Sequence, residues 1–358
     1  MSRLVMRMRW IGLLIGLMSF IVGSASIYGN HALAGQATPS ASPVASPVGQ
    51  GGGVAAAAAW LLGQQAEDGG FVGFEGVSDP SVTADAIFAL VAARDAGAPA
   101  DVDAALQRAV AFLEQQSAGY AVTGAGQAAK IALAVAAVGE DPTAFGGVDL
   151  IALVEQGLDD ETGIYGGGVY DHALAMLALA AAGRPIAETA ITALEETRSS
   201  VGGWAFDGNP EPAAADSNTT AVVIQALVAA APAETELIVG GLEFLRTAQA
   251  DNGAFRFQPS EGFSADANST GLVVQALIAA GEDPASESWR NAAAALAAFQ
   301  NPSGAFRYAD DQPDDNIFAT VQAVPAVAGR AMPILPAGQV PGTPVATPAA
   351  LTNVRFAA

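Results

Sequence analysis

Gln249-Ala250-Asp251-Asn252-Gly253-Ala254-Phe255 is the phrase on which the fold turns: a glutamine, then a short polar step, a glycine, one residue and an aromatic. The same glycine–x–aromatic step recurs at Gly69-Gly70-Phe71, Gly163-Ile164-Tyr165, Gly202-Gly203-Trp204 and Gly304-Ala305-Phe306. A weaker copy, Ala118-Gly119-Tyr120, falls between the first two. Successive aromatics lie ~39 to 51 residues apart, the range of a two-helix repeat. One helix pair cannot bury its own apolar face, so such units must stack or close into a ring. In this reading the glycine takes the positive φ that ends an outer helix, and the aromatic packs into the seam between repeats.

Working outward, helix pairs are expected at 54–97, 101–139, 147–183, 186–231, 234–281 and 285–329. Outer helices carry an apolar stripe: between Asp103 and Gln116, Leu106, Ala109, Val110 and Leu113 fall at helical spacing, with Gln107, Arg108 and Glu114 off it. Inner helices, such as those starting at Ala173, Thr220 and Gly271, are apolar nearly all round and must be covered on most sides. Neither end of the array carries a polar capping repeat, which favours an all-α closed ring, an (α/α)6 toroid, over an open solenoid.

The flanks differ in composition. Arg3, Arg7 and Arg9, the uncharged run Trp10 to Gly23 and Ala32-Leu33-Ala34 predict a signal peptide over 1–34, cleaved before Gly35. The rival is an uncleaved anchor, since Trp10 to Tyr28 lacks charge and is just long enough to span. Residues 35–53 read as a Pro/Ser/Gly linker, 54–330 as the repeat domain and 331–358 as a Pro-rich disordered tail. The protein is therefore expected to be secreted, or membrane-anchored by its first segment alone.

Removing that segment leaves 11 basic residues against 36 acidic ones, a net −25, with Lys130 the single lysine. Nucleic acid is excluded as a partner, because phosphate binding relies on clustered Lys and Arg. No cysteine is present, which excludes disulfides, thiolate zinc sites and cysteine nucleophiles. His172 is the one histidine beyond the signal, at an inner-helix start. No cofactor is implied.

A second element precedes the inner helices. Asp216-Ser217-Asn218-Thr219-Thr220-Ala221 and Asp266-Ala267-Asn268-Ser269-Thr270-Gly271 match each other, and Asp79-Pro80-Ser81-Val82-Thr83-Ala84 aligns with them. Asp, Asn, Ser and Thr at such places cap helices by accepting from unpaired backbone N–H groups. The functional alternative is that these starts ring one mouth of the barrel and meet a ligand there. The candidate ligand-binding residues are Asp79, Asp216, Asn218, Asp266 and Asn268, joined by the loop aromatics Tyr165, Trp204, Phe255 and Phe306.

These motifs resemble the repeats of the squalene–hopene cyclase and protein prenyltransferase superfamily, in which a Gln-rich helix end leads to Gly-Gly-Trp/Phe. Gln64-Gln65 before Gly69-Gly70-Phe71, and Gln249 before Gly253-Ala254-Phe255, carry that likeness, which extends over nearly all of 54–329. The resemblance implies an (α/α)6 toroid with a central cavity. Class II terpene cyclases protonate their substrate with the middle acid of Asp-x-Asp-Asp-Thr-Ala. Here Asn218 and Asn268 stand at that place, and an amide cannot protonate an alkene. The prenyltransferase zinc site needs a cysteine, as do the related thioester proteins, and this chain has none. The cobalamin carriers resemble the chain as secreted toroids without cyclase chemistry. Their separate β domain has no counterpart in the residues after Pro333.

Loop acids remain. Asp310-Asp311 with Asp314-Asp315-Asn316, and Asp159-Asp160-Glu161, offer carboxylates for calcium without a recognisable loop spacing. Asp207, Glu211, Glu261 and Asp310 are of the type that cleaves glycosidic bonds. Arg256 and Arg307 are expected to pair with loop carboxylates. The expectation is a non-enzymatic toroid that binds a small molecule or a cell-surface component at its mouth. A degenerate terpene cyclase or a carboxylate-based glycan-acting enzyme is the alternative.

Overall fold

The computed structural model of the protein describes residues 51–98, 101–260, 262–336, 338, 339 and 341. The expected signal peptide, most of the linker and most of the tail lie outside the described residues. Twelve α-helices alternate along the described chain. The odd ones form an outer layer: α1 (Gly51–Leu62), α3 (Asp101–Tyr120), α5 (Leu150–Gln156), α7 (Glu188–Thr197), α9 (Thr235–Ala248) and α11 (Ala292–Ala297). The even ones form an inner layer: α2 (Pro80–Asp95), α4 (Ala125–Ala137), α6 (Val169–Ala181), α8 (Ser217–Ala230), α10 (Ala267–Ala279) and α12 (Ile317–Val327). A short antiparallel hairpin, β1 (Arg307–Ala309) and β2 (Gln312–Asp315), precedes α12. Among the described residues no helix is long and apolar enough to cross a membrane.

Each inner helix packs on the inner helix of the repeat before and after it, and α12 packs on α2, so the ring is closed. The joints explain the repeated phrase. Gln249 donates from Nε2 to Gly253 O in its own loop at 2.9 Å and to Trp289 O ahead of the next outer helix at 2.7 Å. Gln65 does the same with Gly69 O and Ala105 O, and Gln300 with Gly304 O and Gly53 O. The last pair joins residues 247 apart in sequence and closes the circle. Gly304 has φ 96°, and a Cβ there would fall on the carbonyl of Ala56 in α1. Both constraints require glycine.

The outer stripe is as expected. In α9, Leu237, Gly241, Phe244, Leu245 and Ala248 are buried at helical spacing, while Glu236 and Glu243 are exposed. In α3 the stripe is Val102, Ala105, Leu106, Ala109, Phe112 and Leu113. The weaker copy at Gly119 differs from expectation: α3 runs straight through it to Tyr120 and continues into a 3-10 turn over Ala121–Thr123. No joint forms there because Gly119 keeps helical backbone and Tyr120 leaves the seam.

Helix α1 begins at Gly51, inside the expected linker, and the chain after α12 stays on the ring. Arg330 pairs with Asp95 at the end of α2, Met332 N–H donates to Gln225 Oε1 at 2.9 Å, and Ile334 and Leu335 are buried. The residues from 331 to 336 thus cross the mouth at the C-terminal ends of the inner helices. A cavity of about 340 Å³ remains beside them, bordered by Val228, Ala279 and Pro333.

Candidate functional site

The opposite mouth, at the N-terminal ends of the inner helices, is built first from caps. Asp216 Oδ1 accepts from Thr219 N–H at 2.7 Å and Oδ2 from the Thr219 hydroxyl at 2.9 Å. Asp266 treats Ser269 the same way, both bonds at 2.8 Å. Asp79 caps through Val82 N–H at 2.9 Å. Asn316, read from sequence as part of an acidic cluster, is the fourth such cap, accepting from Ala319 N–H. Capping is therefore the role the structure gives Asp79, Asp216 and Asp266.

Burial pushes the Asp216 carboxyl up to about 7 and that of Asp266 up to about 6, against hydrogen bonds from Thr219 and Ser269 that pull them down. Four residues after each of these caps, a threonine closes the unit. Thr270 Oγ1 accepts from Phe255 N–H at 2.9 Å and donates to Asp266 O at 2.6 Å. Thr83, Thr220 and Thr320 repeat this with Phe71, Trp204 and Phe306.

His172 takes the threonine's place in the third repeat. Its Nδ1 accepts from Tyr165 N–H at 3.0 Å, so Nε2 carries the proton and donates to Ala190 O at 2.9 Å. Burial lowers its pKa to about 4, which keeps it neutral. It is a joint residue, as its place in the repeat unit requires. Tyr165, Trp204, Phe255 and Phe306 are at most 4% exposed and lie in the seams. Their rings fill space between repeats, so the mouth is not lined by them.

The lumen face emerges from helical register, since positions four apart share a face. Two residues after the cap stand Ser81, Gly126, Tyr170, Asn218, Asn268 and Phe318. Six after it stand Asp85, Lys130, Leu174, Val222, Leu272 and Gln322. Most of these are half-buried in helices whose other N-terminal positions are buried, so this face meets the opening. Ser81, Asn218 and Asn268 are thus the capping-motif residues that lie on this face, and the two asparagines are the candidate residues among them. Asn268 Oδ1 is buried without a hydrogen-bond partner among the described residues. A buried acceptor left unpaired costs free energy until something donates to it.

Sequence reading missed the opposite wall. Lys130 Nζ meets Asp85 Oδ2 at 2.8 Å, with side chains 14% and 15% exposed. Burial alone would discharge the ammonium, but the carboxylate of Asp85 holds it charged, well above the usual lysine range. Burial pushes the Tyr170 phenol up to about 12 and raises that of Tyr120. Asp171 lies against Gly126, where a side chain would collide with it, and accepts from Gly167 N–H at 3.2 Å. The signal was available: Lys130 and Asp85 are the interior charges of helices that are otherwise apolar. Two aromatic pairs flank the mouth, Tyr170 with Phe206 at 5.9 Å and Phe74 with Phe318 at 4.0 Å, and Phe74 and Phe206 are exposed.

The loop acids have local partners. Arg307 pairs with Asp310 at 2.7 Å as expected, and Asp315 Oδ1 accepts from Asn301 and Ser303. Asp159 accepts from Glu161 and Thr162 N–H groups within its own turn, and Asp207 from Asn209 N–H. Glu261 lies outside the described residues. Asp251, Arg256, Asp310 and Asp311 border an open groove of about 570 Å³ between the fifth and sixth repeats. Among the described residues no group of three or more His, Asp or Glu is placed to hold a metal.

No protein-family model and no curated protein matches the chain. Solved structures do. Type II terpene cyclase MstE from Scytonema aligns with a TM-score of 0.57 at 17% identity, over 77% of this chain and 97% of that one. A protein from Actinoplanes aligns at 0.58 and 18%, over 78% and 98%. An unsaturated glucuronyl hydrolase specific for heparin aligns at 0.60 and 10%, over 78% and 96%. At these identities the likeness is one of fold, and it is the alternating two-layer helical ring described above: the chain is an α/α toroid.

Proposed function

We infer that this chain is a secreted or surface-displayed toroid that binds a small polar ligand at its N-terminal mouth and does not transform it. The observation that carries the reading is the lumen face itself, where Asn218, Asn268, Tyr170, Gln322 and the Asp85–Lys130 pair interrupt otherwise apolar helices. The unpartnered Asn268 Oδ1 supports a donor on the ligand. Export is supported by Arg3, Arg7, Arg9 and the Ala32-Leu33-Ala34 site in the sequence.

Binding is favoured over the cyclase or glycan-cleaving alternative because the carboxyls at this mouth are engaged. Asp216 and Asp266 give both oxygens to caps, Asp85 faces Lys130, and Asp171 accepts from a backbone N–H. A general acid needs its proton directed at substrate. The test is native mass spectrometry of protein purified from the medium, compared with the denatured mass. A retained small molecule, lost in an Asn218→Ala/Asn268→Ala variant of unchanged melting temperature, is the expected result. Turnover of an isoprenoid or glycan that one Asp substitution abolishes would overturn the reading in favour of an enzyme.

A further inference from the structure

The six inner helices provide an internal control for the Asp85–Lys130 pair. At the same register three repeats carry Leu174, Val222 and Leu272, so ring packing does not require charge there. A buried ion pair adds little net stability, because desolvating both groups offsets their attraction. Each is nevertheless the one charge in the interior of its helix, and both side chains keep some exposure on the lumen face, 14% and 15%.

Its unused hydrogen-bonding capacity defines what it can hold. Lys130 has three N–H donors, and Asp85 Oδ2 is the acceptor the described residues supply; Asp85 Oδ1 has no donor among them. A donor and an acceptor therefore sit side by side. Tyr170 and Tyr120 stay protonated beside them, each able to donate and accept. A ligand carboxylate or phosphate would meet the negative charges of Asp85 and Asp171, and an amine would meet Lys130. Neighbouring hydroxyl groups donate and accept at once and satisfy the pair without leaving a charge unmatched. The Tyr170–Phe206 pair, with Phe206 40% exposed, offers an aromatic face at the rim for the C–H side of a ring.

We propose that Asp85 and Lys130, flanked by Tyr120 and Tyr170, form a subsite for adjacent hydroxyls of a neutral polyhydroxylated ring, a sugar or a cyclitol. This rests on the mouth being a ligand site and names the class of ligand. The experiment is ligand-observed NMR on the full chain with glucose, galactose, mannose and myo-inositol. The 2-deoxy sugars, glucuronate, glucosamine and farnesol serve as counter-probes. Neutral polyols bind, and deleting one hydroxyl weakens the interaction about tenfold, because the site's polar groups are left unpaired. A trisaccharide of the best sugar separates the end of a polymer from a free monosaccharide by whichever binds more tightly.

Lys130→Met strands Asp85 and risks the fold, so the decisive variant is Asp85→Leu/Lys130→Leu, which restores the apolar pattern of the other repeats. It keeps its melting temperature and loses at least about tenfold in polyol affinity, a difference of about 1.4 kcal/mol. Undiminished polyol binding in that variant overturns the subsite. Tighter binding of glucuronate, glucosamine or farnesol that Asn268→Ala abolishes overturns the ligand class and leaves the mouth as a binding site. Silence from every polyol, trisaccharide included, overturns the subsite, and an empty ring in native mass spectrometry then removes the mouth reading as well.

Discussion

The fifth repeat and the second are both an outer helix followed by an inner one, yet they spend their polar residues differently. In the fifth, Gln249, Gly253, Phe255, Asp266 and Thr270 form a closed chain of hydrogen bonds that leaves little for a ligand except Asn268. In the second, Gly119 is helical, Gly124 caps without a side chain, and Ala128 replaces the threonine. That repeat has given up the joint, and it brings Tyr120 and Lys130 to the lumen. The regular repeats hold the ring together, while the irregular one contributes Lys130, whose partner Asp85 stands on the regular first repeat.

The contrast can be broken first at the joints. Gly304→Ala forces a Cβ onto the Ala56 carbonyl at positive φ, where the ring closes. We expect a loss of about 3 kcal/mol in urea unfolding; a variant as stable as wild type would show that the joint is not rigid.

The next effect is electrostatic and belongs to the regular repeats. The folded Asp216 carboxyl titrates near 7 and the unfolded one near its ordinary 3.8, so the native state holds the proton more tightly. Its contribution is complete below about pH 4 and is lost as pH rises toward 7. Asp216→Asn keeps a capping oxygen and removes the titration. Its stability relative to wild type should rise by about 3 kcal/mol between pH 4.5 and 7.5. Parallel curves for the two proteins would show that the carboxyl is not desolvated. His172 acts in the opposite sense in both proteins, since its lowered pKa costs stability as pH falls from 6.5 toward 4.

A smaller loss tests the hydrogen-bond unit. Thr270→Val leaves Phe255 N–H without its acceptor and should cost about 1–2 kcal/mol. No change in the unfolding midpoint would mean that another group replaces the hydroxyl. In the second repeat the sign reverses. Gly119 is helical and exposed, with open space where a Cβ would stand, so Gly119→Ala should stabilise by about 0.5–1 kcal/mol. Destabilisation there would mean that the second repeat does use a glycine joint.

Residue by residue, the scaffold was more legible than the site. The joint glycines, the stripe in α3 and the caps at Asp79, Asp216 and Asp266 are all visible in short windows. Asn316 was obscured because the acids before it, Asp314 and Asp315, suggested a cation loop, although it follows the same cap-to-threonine spacing as its counterparts. Repeat position makes the aromatics candidates for the mouth, but a fully buried ring such as Trp204 answers equally to a seam, and spacing does not separate the two.

By itself the sequence determined the alternation of outer and inner helices and the positions of most of their ends, and it favoured a closed ring over an open solenoid; the contact of α12 with α2 decided closure. Helical periodicity, positive-φ glycine and N-capping act within a few residues, so a linear chain displays them. The tertiary structure alone decided that Asp85 meets Lys130, 45 residues away, and that residues 331–336 cover the far mouth. It also decided which polar residue of each capping motif looks into the lumen. Those outcomes depend on how neighbouring helices are rotated and staggered against one another, and that register is set by the packing of the whole ring.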